Sequence, residues 1–317
     1  MRQAFNAILH EPHPFPARLV LLLLLPLLVL PGCWSSSSEP PLAEQAAQLL
    51  LLGFRGKTIA EAETIVEDIR ERRIGGVILF DRDVALRTTR NIESPEQLRR
   101  LIAALQSVAG HRLLVAIDQE GGSINRLKPV YGFPATRSAQ YFGDLDEPAT
   151  TRAEAGMVAE LLADLGINVN FAPVVDLNVN PDSPAIGKIG RSYSADPAKV
   201  VTHASQVIAA HKAAGVATAL KHFPGHGSAT DDSHAGFTDV SHTWTPTELE
   251  PYRAIAGHNR VPMVMTAHIF NAALDPEHPA TLSRPILTDL LREEIGFRGV
   301  IVSDDMQMGA ITQFYGL

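Results

Sequence analysis

Short apolar segments alternate with amphipathic segments along most of the chain. The apolar segments are rich in Val, Ile and Leu and are too short for helices, which is typical of buried strands. Strands that alternate with helices in this way indicate a mainly parallel sheet. The pattern predicts seven strands, in Leu42–Phe54 after a helical start, Val77–Phe80, Leu113–Asp118, Ile167–Leu177, Val216–Phe223, Val261–Phe270 and Gly299–Asp305.

The segments between these strands have helical spacing. The clearest start is at Ser94, which is followed by Pro95 and Glu96, the pattern of an N-cap with proline at the first helical position. The predicted helices are Ile59–Arg73, Ser94–Ala109, Glu147–Leu165, Pro197–Ala214, Thr245–Gly257 and Pro285–Ile295.

Polar clusters follow nearly every predicted strand. In a TIM barrel the carboxyl ends of the strands carry the site, so this pattern favours a (β/α)8 barrel. A doubly wound fold would need a glycine-rich phosphate turn after the first strand, and Gly53-Phe54-Arg55-Gly56 does not match GxGxxG. The clusters are Asp118-Gln119-Glu120, Asp176, Lys221-His222, His268 and Ser303-Asp304-Asp305.

The predicted barrel occupies residues 42–317. Only thirteen residues follow Asp304, whereas an eight-stranded barrel needs one more strand and about one and a half further helices. We therefore expect a TIM-type barrel domain that is truncated before its eighth strand.

The N-terminus has the pattern of a bacterial lipoprotein signal peptide, which we assign to residues 1–32. Leu19–Leu30 is too short to span a bilayer, and it leads to Cys33, the one cysteine of the chain. Cys33 resembles the lipidated residue of a lipobox, and residues 33–41 form a Ser/Pro-rich tether. The alternative is a buried cysteine near an ordinary cleavage site. By resemblance to bacterial lipoproteins, Trp34 in place of an aspartate favours outer-membrane sorting. We therefore expect a lipid-anchored protein of the cell envelope, in the outer membrane and on its periplasmic side.

Composition and charge limit the partners. The 317 residues are 45% hydrophobic and 20% charged, and the formal net charge is −8. This composition is that of an ordinary globular protein. Nucleic acid is disfavoured as a partner because a phosphate backbone requires a basic surface.

The segment KHFPGHGSATDDSHAG (Lys221–Gly236) concentrates titratable side chains and glycines. A hydrogen bond from the His234 ring to the Asp232 carboxylate would orient the ring and prepare it for proton transfer, although a solvated loop histidine is the simpler alternative. A zinc site built from His222, His226 and His234 is disfavoured, because Lys221 would repel the cation and the spacing matches no common zinc motif.

Two further clusters have the chemistry of a sugar site. Asp304 follows a buried strand, where a carboxylate is placed to act as a nucleophile, unless it only caps the next turn. Asp118 and Arg126 have the carboxylate and guanidinium groups that grip sugar hydroxyls, or they form a salt-bridged turn.

Taken together, four segments resemble the β-N-acetylhexosaminidase branch of glycoside hydrolase family 3, from about Leu42 to the end of the chain. They are AIDQEGGSINRL, IGRSY, KHFPGHGSATDDSH and GFRGVIVSDDM. The resemblance implies a retaining exo-β-N-acetylglucosaminidase that acts on peptidoglycan fragments or related aminosugar chains. It also implies a monomer without a metal or organic cofactor.

Residue roles follow from the same resemblance. Asp304 matches the nucleophile that forms a covalent glycosyl-enzyme, His234 the general acid/base and Asp232 its partner. One departure is Ser123, where the family usually has arginine. The residues that match those holding the N-acetylglucosamine ring are Asp118, Arg126, Arg191, Lys221 and His222.

Several alternatives remain open at this level. The chain could be a β-glucosidase or a phosphorylase of the same family, since a neutral imidazole would not repel phosphate. A metal-dependent hydrolase and an inactive truncated lipoprotein are the others.

Overall fold

A single parallel sheet of seven strands organises the fold in the computed structural model, which describes residues 39–234, 236–258 and 260–315. Each strand pairs with the strand before and after it in the chain, so the spatial order is the sequence order. The strands are β1 (Leu51–Gly53), β2 (Gly76–Leu79), β3 (Leu114–Ile117), β4 (Val169–Asn170), β5 (Ala217–Phe223), β6 (Met263–Thr266) and β7 (Val300–Ser303).

Helices connect successive strands. The α-helices are Leu42–Ala47, Glu63–Glu67, Pro95–Val108, Ala139–Leu145, Pro148–Leu165, Pro197–Ala213, Glu250–Ile255 and Gly309–Thr312. Two π-helical segments cover Asp68–Arg72 and Pro285–Glu294, and short 3₁₀ turns cover Ile59–Glu61, Pro129–Tyr131, Gly187–Ile189, Pro246–Leu249 and Ala280–Leu282. Two small ribbons pair Arg82–Asp83 with Thr88–Thr89 and Thr238–Asp239 with Ile269–Phe270.

Local sequence explains where the longer helices begin. Ser94 accepts a hydrogen bond from the backbone N–H of Gln97, and Pro95 takes the first helical position. Asp196 caps the helix that begins at Pro197 in the same way, through the N–H of Ala198 at 2.9 Å. At both starts a side-chain oxygen accepts a hydrogen bond from an otherwise unpaired backbone N–H group. Proline suits the first helical position because it has no N–H group that would need an acceptor.

The sheet curls around a small interior core. One apolar cluster combines side chains from all seven strands, including Leu51 of β1 and Val302 of β7. Its other strand members are Ile78, Ala116, Val169, Ala217, Ala219, Met263 and Met265. Two larger clusters fill the layer between the outer face of the sheet and the helices. This arrangement of an inner core and an outer helical layer is that of a (β/α) barrel, and it confirms the predicted fold class.

The predicted elements are observed, but several differ in extent or type. The helix predicted over Thr245–Gly257 is divided into a 3₁₀ turn and an α-helix, and the helix predicted over Pro285–Ile295 is a π-helical segment. The strand predicted over Ile167–Leu177 covers only Val169–Asn170, since Pro173 has no N–H to donate and Asn170 turns its side chain to the loop after β3. The helix predicted over Ile59–Arg73 is divided into a 3₁₀ turn, an α-helix and a π-helical turn.

The predicted signal peptide and Cys33 lie outside the described residues, as does most of the tether. In the part of the chain that is described, no helix is long and apolar enough to cross a membrane. Lipid anchoring therefore stays a prediction.

Two helical glycines provide a matched test of packing. A methyl group at Gly143 would overlap the carbonyl oxygen of Tyr193, whereas a methyl group at Gly156 would meet no atom within 4 Å. We expect Gly143→Ala to lower the free energy of unfolding by ~1–3 kcal/mol or more through overpacking. Gly156→Ala should raise it by roughly 0.5–1 kcal/mol, because alanine is the better helix former. Urea unfolding measures both, and equal effects would contradict this packing.

Candidate active site

The predicted site residues lie at the carboxyl ends of the strands or on the loops that follow. Asp118 comes directly after β3, Lys221 and His222 lie in the last three residues of β5, and Asp304 comes directly after β7. The loops after β3 and β4 supply Arg126 and Arg191, and the loop after β5 supplies Asp232 and His234. Residues that are more than a hundred positions apart in the chain are thus brought to one end of the barrel, as expected for parallel strands.

Buried charges form the centre of the site. The Lys221 ammonium lies 2.8 Å from Asp118 Oδ1 and 2.6 Å from Glu120 Oε1. The Arg191 guanidinium binds both oxygens of Glu120, at 2.8 Å through Nε and 2.7 Å through Nη2. Such paired contacts are strong and set the orientation of both partners. Lys221, Glu120, Arg191 and Asp118 are called the charge cluster below.

The charges in this cluster compensate one another. Burial would raise the pKa of Glu120, but Arg191 and Lys221 outweigh it and hold this pKa well below its ordinary value. Burial would lower the pKa of Lys221, but Asp118 and Glu120 raise it above the ordinary value. Glu120 and Lys221 are therefore ionised at neutral pH, and the cluster presents fixed hydrogen-bonding groups to a ligand.

His222 connects the charge cluster to a second buried carboxylate. Its Nδ1 lies 2.7 Å from Asp176 Oδ2, and its Nε2 lies 3.1 Å from Arg191 Nη2. Asp176 also accepts the backbone N–H groups of His222 and His226. Burial raises the pKa of Asp176, but these two histidines lower it below its ordinary value. Both nitrogens of the His222 ring are engaged, so the ring is held in one orientation.

Arg126 has donors that are not fully used. Its nearest carboxylate oxygens are Asp118 Oδ2 at 3.8 Å and Asp81 Oδ1 at 3.9 Å, which is longer than a hydrogen bond. Its buried Nε has no hydrogen-bond partner among the described residues. A guanidinium held near two carboxylates without direct hydrogen bonds can donate to a polar ligand.

Asp304 is partly buried at the end of β7. Its backbone N–H donates to the carbonyl of Thr266 in β6, and its Oδ1 accepts the N–H of Asp305 at 2.8 Å. Burial raises the pKa of this carboxyl, but His222, the Asp305 N–H, Lys221 and His268 together lower it below the ordinary value. An ionised carboxylate in a cationic surrounding is the form required of a nucleophile.

Asp232 and His234 form a hydrogen-bonded pair on the loop after β5. Asp232 Oδ1 lies 2.8 Å from His234 Nδ1 and also accepts the backbone N–H of His234 at 3.0 Å. Burial raises the pKa of Asp232, but these two hydrogen bonds lower it overall. The His234 side chain is 64% exposed. With Nδ1 engaged, Nε2 is the ring nitrogen available for proton transfer.

The structure also identifies contributors that the sequence reasoning did not assign to the site. The sequence indicated Glu120 and Asp176 as site candidates, because both follow predicted strands, but it did not show which residues they contact. No feature of the sequence indicated Glu248 as a site residue. It lies inside a predicted helical segment, is buried against the turn that contains Gly225, and accepts the N–H of Gly227 at 3.1 Å.

A metal has no suitable position among the described residues. No group of three or more His, Cys, Asp or Glu side chains there is placed to hold an ion. The zinc alternative would use His222, but its ring already contacts Asp176 and the Arg191 guanidinium, whose charge repels a cation.

With this geometry in place, comparison with known proteins decides the family. Residues 41–317 match the model of the glycosyl hydrolase family 3 N-terminal domain. The chain belongs to glycoside hydrolase family 3. This agrees with the resemblance inferred from its four sequence segments.

The relatives share this domain at moderate identity. A beta-hexosaminidase of Alkalilimnicola ehrlichii is 38% identical over 83% of this chain and 74% of its own length. Beta-hexosaminidase A of Pseudoalteromonas piscicida is 36% identical over 89% of this chain and 52% of its own length. A solved family 3 beta-N-acetylglucosaminidase from Paenibacillus superposes with a TM-score of 0.80 at 36% identity, over 87% of this chain and 51% of its own. The chain thus spans about half the length of the latter two relatives.

The charge cluster yields a stability prediction. Glu120→Gln should leave Arg191 and Lys221 buried with too little negative charge, which costs ~3–5 kcal/mol of unfolding free energy. Glu294→Gln is the control, because Glu294 pairs with Arg253 at 2.6 Å on the surface, where a pair contributes only about 0–1 kcal/mol. Denaturant unfolding compares the two variants. Equal losses of unfolding free energy in the two variants would show that the buried contacts of Glu120 stabilise the protein no more than a surface ion pair does.

Proposed function

We propose that this protein is a retaining exo-β-N-acetylglucosaminidase. The observation that carries the proposal is the ionised Asp304 carboxylate beside the buried charge cluster, with a separate, solvent-accessible Asp232–His234 pair. Retaining hydrolysis needs one nucleophile and one group that first donates and then accepts a proton. The names of the relatives, beta-hexosaminidase and beta-N-acetylglucosaminidase, support the same activity and sugar.

In the first step Asp304 attacks the anomeric carbon of the terminal sugar. The bond from that carbon to the leaving oxygen breaks, and the leaving oxygen takes the proton of His234 Nε2. The products are a covalent glycosyl-Asp304 ester, a neutral His234 and the released alcohol. Asp232 holds the ring in position and stabilises its cationic form before the transfer.

In the second step water attacks the anomeric carbon of the ester. His234 Nε2 accepts a proton from this water, and the bond to Asp304 breaks to restore the carboxylate. Two displacements at one carbon return the original anomeric configuration. A single imidazole can serve in both steps because its Nε2 can first donate and then accept a proton.

The charge cluster is the proposed holder of the sugar. Carboxylate, ammonium and guanidinium groups in fixed positions suit the several hydroxyls and the acetamide of N-acetylglucosamine. Arg126, with unused donors, is the most direct candidate for a new hydrogen bond to the ligand. Asp118, Arg191, Lys221 and His222 complete the pocket we propose.

The proposal also covers the natural substrate and the cellular location of the protein. We propose peptidoglycan fragments or related aminosugar chains as substrates and a lipid anchor at Cys33 in the cell envelope. The sequence pattern of residues 1–41 supports the anchor, and a β-N-acetylglucosaminidase in that compartment would meet such chains. Loss of membrane association in a Cys33→Ser variant is the corresponding test.

The assignment of Asp304 as the nucleophile can be tested against its neighbour Asp305. We expect Asp304→Asn to reduce turnover of an aryl β-N-acetylglucosaminide by at least 10³-fold, because an amide cannot form the ester. The control is Asp305→Asn, since the Asp305 side chain is exposed and, among the described residues, accepts the N–H of Gln307. Initial-rate assays with both variants are the measurement. Comparable activity in the two variants would remove Asp304 from this role.

A second prediction concerns proton transfer. In His234→Ala, kcat/KM should fall by about 10²–10⁴-fold for a poorly leaving alcohol and far less for a good leaving phenol, which needs no protonation. Azide should restore kcat for the phenol substrate, because this anion attacks the ester without a general base. Equal losses for both substrates, or no effect of azide, would contradict the acid/base role.

A further inference from the structure

We propose that His226 is a positioning residue that docks the proton-transfer segment, Asp232–His234, onto the buried side of the site through Ser233. The inference rests on the proposed function and adds a residue to it. The observation behind it is an alternation of exposure within three residues. The His234 side chain is exposed to solvent and that of Asp232 is partly exposed, whereas Ser233 between them is only 3% exposed.

Ser233 is buried because it makes the contacts that hold this segment. Its Oγ lies 3.1 Å from Nε2 of His226, within hydrogen-bond distance. The carbonyl groups of Ser233 and His234 accept the backbone N–H groups of Ala310 and Gly309. The backbone contacts tie the segment to the residues that follow Asp304, and the side-chain contact ties it to the turn after β5.

His226 is itself rigidly placed. Its side chain is buried, and its backbone N–H donates to Asp176 Oδ1 at 2.8 Å, the carboxylate that also holds His222. The next residue, Gly227, donates its N–H to the buried Glu248. Asp176 and Glu248 therefore hold the backbone at His226 and Gly227 from two sides. The Asp176 carboxylate also links His222, which we propose faces the sugar, to His226, which holds the proton-transfer segment.

The His226 ring has the properties of an anchor and not of a proton carrier. Burial, with smaller contributions from the neighbouring His222 and Arg191, lowers its pKa to about 4, so the ring is neutral at physiological pH. Its Nδ1 has no hydrogen-bond partner among the described residues, which leaves the Ser233 hydroxyl as the polar contact of the ring. The hydrogen bond is thus unchanged through the neutral range in which His234 must change its charge.

This arrangement predicts a specific defect when the anchor is removed. Proton transfer requires His234 Nε2 to stay within hydrogen-bond reach of the leaving oxygen, and small displacements are costly. Sugar binding by the charge cluster does not involve Ser233. Loss of the anchor should therefore impair protonation and leave affinity for the sugar unchanged.

The test compares Ser233→Ala with Thr230→Ala. Thr230 is exposed and precedes the segment, and its hydroxyl donates to the carboxylate of the neighbouring Asp231 at 3.1 Å. A lost hydrogen bond to a buried partner corresponds to about 1–3 kcal/mol, or roughly a 5- to 150-fold effect. We expect Ser233→Ala to lower kcat/KM by this factor for an aryl β-N-acetylglucosaminide with a poor leaving group. The effect with a good leaving group should be small, the Kd for N-acetylglucosamine unchanged, and Thr230→Ala close to the wild type.

His226→Ala completes a double-mutant cycle. If the two side chains act as one anchor, adding Ser233→Ala to His226→Ala causes little further loss. Additive losses, equal losses with both leaving groups, or a wild-type value in Ser233→Ala would overturn the proposal. Ser233→Ala alone decides the matter if the histidine variant does not fold. A wild-type enzyme that hydrolyses neither substrate would instead refute the proposed function, so the two failures are distinguishable.

Discussion

The ion network of Glu120, Arg191 and Lys221 is the interaction on which the rest of the site depends. Charges removed from water are tolerated only when partners and hydrogen bonds replace the lost solvent. Glu120 meets this condition through two contacts from Arg191 and one from Lys221. Because those residues come from different loops and strands, satisfying one buried carboxylate also sets the relative positions of β3, β5 and the loop after β4.

The same network determines the electrostatic environment of the proposed nucleophile. Burial raises the pKa of the Asp304 carboxyl group, but nearby His222, the Asp305 N–H and the Lys221 ammonium lower it below its ordinary value. The Asp232–His234 pair is arranged differently, with both side chains accessible to water. A nucleophile that must remain ionised is thus placed among buried cations, whereas the group that must gain and lose a proton is placed near solvent. This separation is the physical basis of the roles we propose.

Much of this arrangement could be predicted from the sequence, for identifiable reasons. Apolar segments of strand length predicted all seven strands, and the rule that parallel barrels carry sites at their carboxyl ends predicted Asp118, Lys221 and Asp304 together. The partners of buried charges could not be predicted, because Glu120 and Arg191 are far apart in the chain and their contact depends on loop conformation. Glu248 shows the same limit, since a glutamate in a helical segment usually faces solvent. The strand predicted over Ile167–Leu177 was too long, because apolar composition alone does not show where the backbone leaves the sheet.

The central claim is that sugar transfer proceeds through a covalent bond to Asp304. The most direct test is to trap this species in His234→Ala, whose second step lacks a general base, with a substrate that has a good leaving group. Peptide mapping by mass spectrometry after rapid acid quenching then locates the added sugar. The mechanism predicts one N-acetylhexosamine on the peptide that contains Asp304, and no such adduct when Asp304→Asn is introduced as well. A sugar attached to another residue, or no covalent adduct during turnover, would contradict it.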